Sequence, residues 1–222
     1  MSRFSVSRYN NLLGVDEADK KLNKQLADAK ISRHDFFSQL ANLFLEENRH
    51  IDYSPCLLHR HFLLEEGEKM VADGNSTMPS TDDSVVPERW YPDGEEMEHR
   101  VANPNIALPP PPPPEFMAKF KALTQRYGID VLGVCYVPPV EELPPMSIFR
   151  ETLGSRDREE VIQVVPKDDS SLGGPFYASC WVVTRGMETC LRGRDRTRIT
   201  EGKFTSNENV QIVTDTGYES FI

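Results

Sequence analysis

The densest group of metal-capable side chains in this sequence is Cys56-x-x-His59-x-His61, with His50 and Glu65 close by. Thiolate, imidazole and carboxylate are the ligands zinc takes, and the same histidines beside a carboxylate could move protons. Spacing constrains both readings. On a helix Cys56 and His59 share a face, whereas His59 and His61 stand about 200° apart. On an extended segment the two histidines share a face instead. No second CxxC or HxxxH completes a ligand set. No cofactor is therefore predicted, zinc being the metal that Cys56, His59 and His61 would suit. A histidine pair bonded to nearby carboxylates is the plainer expectation.

The four cysteines, Cys56, Cys135, Cys180 and Cys190, show no framework spacing, so reduced thiols are expected. Cys135 and Cys180 lie in apolar runs, where a thiol behaves as a small hydrophobe. Cys190 has Arg185, Arg192 and Arg194 around it, and that positive field would favour its thiolate. No histidine follows His99, so any base for Cys190 has to come from the N-terminal half. The catalytic candidates are therefore His59, His61, Glu65 and Cys190.

Charge is distributed unevenly. The chain has 222 residues, 25 Lys+Arg against 35 Asp+Glu, and a net charge of -10. That balance disfavours general binding to nucleic acid or an anionic membrane. Its one basic concentration is Arg185, Arg192, Arg194, Arg196, Arg198 and Lys203. Alternation at 192, 194, 196 and 198 would align four arginines on one face of an extended segment, suited to phosphates. No aromatic residues interleave them, so nucleic acid is the third-ranked reading. The preferred role for this face is internal, as a dock for residues 65–98, where eleven acids oppose Lys69 and Arg89. The run Pro109–Pro114 is a stiff polyproline segment, flanked by Leu108 and Glu115. It resembles the proline runs taken by profilin and EVH1-type domains, and equally suits a spacer.

The elements that would hold these groups are only partly readable. Residues 1–15 read as a disordered tail. Helices are expected over residues 16–30, from about 33, where Ser32 and Asp35 form a capping box, and over Cys56 to Ala72 with Pro55 at its start. Together residues 16–72 make a helical segment. Residues 73–114 hold no sustained period and read as an irregular acidic and proline-rich connector. In residues 115–222 a helix from Glu115 to Gly128 precedes strands at 129–137, 161–165, 176–185, 198–204 and 210–214. This predicts an α+β fold: helices packed on a small, mainly antiparallel sheet, with the helical segment and residues 115–222 joined as one domain. Low apolar content (38% hydrophobic, mean hydropathy -0.49) and 17 prolines argue against a second core.

Residues 56–71 (CLLHRHFLLEEGEKMV), followed by Glu88-Arg89-Trp90, resemble a set of uncharacterised proteins from filamentous fungi. The resemblance implies a non-exported protein and carries no activity, cofactor or site residue with it. No apolar run is long enough to span a bilayer and no secretory leader is visible. The expected location is the cytoplasm, with the nucleus as an extension and a mitochondrial presequence in residues 1–15 as an alternative. The leading functional expectation is a non-catalytic interaction or accessory protein. The alternative is a small enzyme or ligand-binding protein that uses His59 and His61 with a carboxylate or metal.

Overall fold

The computed structural model describes residues 4–102, 110–136, 147–153, 157–166, 176–183, 191–198, 212–214 and 217–219. Helix α1 (Val6–Asn10) is capped by the Ser5 hydroxyl, which accepts from the Arg8 N–H. Helix α2 (Val15–Asp28) buries Val15, Ala18, Leu22 and Leu26 at helical spacing, with Asp16 and Glu17 favourably placed in its first turn. Helix α3 (Arg33–Glu46) starts at Ser32, whose hydroxyl accepts from the Asp35 N–H, and buries Phe36, Phe37, Leu40, Ala41 and Phe44. Helix α4 (Pro114–Arg126) has proline at its first position, where a missing N–H is harmless, and buries Phe116, Met117 and Phe120.

The strands are β1 (Tyr53–Leu57), β2 (Lys69–Asp73), β3 (Ser76–Ser80), β4 (Val85–Trp90), β5 (Glu96–Val101), β6 (Leu132–Tyr136), β7 (Ser147–Leu153), β8 (Glu160–Pro166), β9 (Phe176–Val183) and β10 (Leu191–Arg198). They hydrogen-bond in the order β1-β6-β4-β5-β2-β3-β8-β7-β10-β9, and the sheet curls until β9 returns to β1. Two pairings, β2 with β5 and β7 with β10, are parallel, and the rest are antiparallel. A separate hairpin pairs β11 (Ile212–Thr214) with β12 (Gly217–Glu219).

The α+β class stands, but the sheet is large, mixed and curled rather than small. Cys56 to Ala72 is not helical: it comprises the end of β1, a strap over 58–68 that bends at 61–62 and turns at 66–67, and most of β2. Pro55 looked like a helix start, yet it lies within β1. Among the described residues the register with β9 falls at Cys56 and not at Pro55. Residues 76–101, read as part of a connector, hold β3, β4 and β5. Residues 6–10, read as tail, form α1, whose Tyr9 is fully buried.

Helices α2, α3 and α4 cover one face of the sheet. There Tyr53, Leu57, Leu132, Val134, Tyr136, Trp181 and Val183 join the helical residues in one core. By strand alternation the intervening residues Ser54, Cys56, Cys135 and Cys180 face the other way, into the curl of the barrel. Register extends this inner face across the sheet: Ser54 lies opposite Cys135, Cys135 opposite Arg89, and Arg89 opposite Glu98. A second cluster joins Tyr9 to Leu58, Leu64, Met70, Tyr91 and Met97.

Candidate functional site

The strap after β1 carries the histidines, and α1 ties it down. Leu58 N–H donates to the Val131 carbonyl (2.8 Å) and Arg60 N–H to the Leu13 carbonyl (2.9 Å). The Arg60 guanidinium reaches the carbonyls of Asn10 (3.0 Å) and Leu12 (2.9 Å). Asn10 and Leu64 exchange two bonds of 2.8 Å, and the His61 N–H donates to the Tyr9 hydroxyl at 3.1 Å. With no helical turn between them, His59 and His61 stand side by side, with ring centroids 4.7 Å apart.

His61 stands between two carboxylates. Its Nδ1–H donates to Glu160, at the start of β8, and its Nε2 makes an ion pair with Glu98 of β5 at 3.2 Å. The other Glu98 oxygen takes Arg89 Nε of β4 at 3.0 Å. The His61 side chain is 1% exposed and that of Glu98 5%. Burial alone would drive the imidazole neutral, but the charges of Glu160 and Glu98 outweigh it and hold its pKa well above the usual histidine value. Burial likewise opposes the charge on Glu98, yet Arg89 and then His61 bring its pKa down to about 2. Glu160 is lowered too, with the His61 charge outweighing desolvation.

His59 has the opposite fate. Burial, then the charges of His61 and Arg89, lower its pKa to about 4, so it is neutral at physiological pH. Its Nδ1 lies 2.9 Å from the Leu57 carbonyl, which can only accept, so the proton sits on Nδ1. Nε2 is thereby left with a bare lone pair, buried and without a hydrogen-bond partner among the described residues. A neutral acceptor held against an imidazolium is a donor–acceptor arrangement that could bind or relay a proton.

The remaining sequence candidates are placed elsewhere. Glu65 is exposed in a turn, where its N–H donates to Glu68. Cys56 faces Cys135 and Cys180 in a thiol cluster, not the histidines. Among the described residues no group of three or more His, Cys, Asp and Glu side chains has the geometry to hold a metal ion. Cys190, Lys203 and Pro109 lie outside the described residues. The chain trace through Arg192–Arg198 is β10 itself, where the sequence placed a strand from 198. Several acids of the 65–98 segment have partners of their own: Glu98 with Arg89, Glu68 with Arg158, and Asp93 and Glu95 with Arg8. In the proline run, Pro112 is buried, Pro113 precedes α4, and the Tyr53 hydroxyl donates to the Pro110 carbonyl.

Sequence reasoning found the histidine pair and missed Arg89, Glu98, Glu160 and Tyr9. The only signal for them was the acid–apolar alternation around Glu96-Met97-Glu98, which a strand reading of that stretch would have aligned. No protein-family model, no curated protein and no solved structure matches this chain. No helix among the described residues is long and apolar enough to cross a membrane.

Proposed function

We propose that the protein binds a small polar molecule inside the barrel, as a ligand-binding protein or acid–base enzyme, with His59 and His61 as its working groups. The observation that carries this reading is the bare Nε2 lone pair of buried, neutral His59 beside an imidazolium fixed by Glu98 and Glu160. A buried ion network costs desolvation that apolar packing would avoid, so an interior polar on this scale favours a functional origin. Barrel interiors are also common ligand sites. His59 would accept a hydrogen bond or proton from a hydroxyl or N–H of the ligand. Glu98, Glu160 and Arg89 would keep His61 charged and oriented.

The test is ligand-observed NMR with a panel of hydroxyl- and carboxyl-bearing metabolites of glycerol to hexose size, on the wild type and on His59→Ala. Millimolar binders that lose saturation transfer in the folded variant support the reading. A panel with no binder, or binders indifferent to His59→Ala, overturns it.

A protein-interaction role through the proline run is the second reading. Exposed Pro110, Pro111 and Pro114 favour it, and burial of Pro112 works against an aromatic groove seating the whole run.

A further inference from the structure

The barrel closes where β9 returns to β1. β1 pairs with β6 along its whole length, Tyr53 to Leu57, and among the described residues its register with β9 sets Cys56 directly opposite Cys180. Directly opposed residues of an antiparallel pair have Cα atoms about 4.5–5.5 Å apart. A disulfide spans roughly 4.4–6.8 Å between Cα atoms, so this pair is within range. Cys135 is not equivalent. Its Sγ lies 3.1 Å from that of Cys180, but β6 and β9 flank β1 on opposite sides. Cys135 therefore stands across β1 from Cys180 and is not its directly opposed ladder partner, and the register favours Cys56. Cys56, Cys135 and Cys180 are all reduced and buried, and the Ser54 hydroxyl lies 3.2 Å from Cys135 Sγ and 3.1 Å from Cys180 Sγ.

We propose that Cys56 and Cys180 are the site of a reversible cross-strand disulfide that locks the β1/β9 seam, with a hydroperoxide as the oxidant. The sulfur of one thiol attacks the distal peroxide oxygen and the O–O bond breaks. The departing alkoxide takes the thiol proton and leaves as an alcohol. The second thiol then attacks the sulfenic sulfur, the S–S bond forms, and its proton leaves with the hydroxyl as water. Two thiols lose two electrons and two protons, and the peroxide is reduced to alcohol and water. A dithiol reverses the reaction by exchange. Access comes from local opening of the β1/β9 seam. Cys135 remains a thiol throughout. The lock does not depend on any ligand of the histidine pair, so it can fail or stand separately from the binding reading.

The experiment exposes the full-length protein to tert-butyl hydroperoxide under native conditions. Remaining thiols are then alkylated, and the protein is digested without reductant and mapped by mass spectrometry. The expected product is a Cys56–Cys180 linked peptide with Cys135 alkylated. Hydrogen exchange should slow across residues 53–57 and 176–183, and dithiothreitol should restore it. Cys135→Ser should keep the link. Cys56→Ser should abolish it with an unchanged circular dichroism spectrum, and Cys180→Ala makes the same test should that variant not fold. A link to Cys135 or Cys190, no link while the protein stays folded, or a link that leaves exchange unaltered would each overturn the proposal.

Discussion

His59 and His61 are neighbours whose protonation is pushed in opposite directions, and this gives the protein a pH signature. For His59 the folded pKa of about 4 lies below the ordinary 6.5. Between those values the unfolded chain binds a proton that the folded chain refuses, so stability falls as pH drops. At 1.36 kcal/mol per pKa unit the loss is about 3 kcal/mol between pH 6.5 and pH 4. The His61 contribution has the other sign. Its raised pKa gives stability fully present below pH 6.5 and lost only as the pH climbs through the folded value. Glu98 contributes above its ordinary 4.5, and that share is lost as pH falls toward about 2. Urea denaturation at pH 7 and pH 4.5 should therefore show an acid loss in the wild type that is largely absent in His59→Gln. Equal losses in the two proteins would remove His59 as its source. The histidine pair was legible because its partners-in-face are two residues apart. The carboxylates were not, because Glu160 is 99 residues from His61 and only the curl of the sheet brings them together.

Among the elements, β6 is held against the strap and β4 by a position with no room for a side chain. A Cβ on Gly133 would sit 2.5 Å from Leu58 Cδ2 and 2.5 Å from the Trp90 carbonyl oxygen. Leu58 can swing aside, but the Trp90 oxygen belongs to the β4 backbone paired with β6. Gly133→Ala is expected to cost about 1–3 kcal/mol, the usual range for overpacking. It would be read as a lower urea midpoint with an unchanged m-value. A variant as stable as the wild type would show that β4 yields freely. Helices α2, α3 and α4 and strand β6 were readable because their apolar residues keep a steady period and end at caps or glycine. The strands β2 to β5 were not. They hold no sustained period: Pro79 stands in β3 and Pro87 in β4, and irregular register between Pro87 and Trp90 breaks the alternation that would have revealed β4.

Across the whole molecule, the short N-terminal helix works as a clamp on the barrel. Arg8 stacks on the Tyr91 ring at 3.7 Å and pairs with Asp93 at 2.9 Å, while Tyr9 fills the second cluster and accepts from the His61 N–H. Tyr9→Phe keeps the ring and deletes the acceptor, leaving the strap's N–H without its partner. The expected cost is about 1–3 kcal/mol. Hydrogen exchange at His61 should rise with it, and protection equal to the wild type would dispose of the clamp.

The strand order also sets a timetable for synthesis. Ser54 of β1 meets Cys135 and Cys180, which are translated 81 and 126 residues after it. At about 5–20 residues per second, β1 waits roughly 6–25 s for its second neighbour to leave the ribosome. Through that interval α2 and α3 can already shelter Tyr53 and Leu57, but one edge of the strand stays bare until β6 is made and the other until β9 follows. A nascent chain stalled before residue 176 would present an unpaired apolar edge to other chains, and chaperone engagement should peak there.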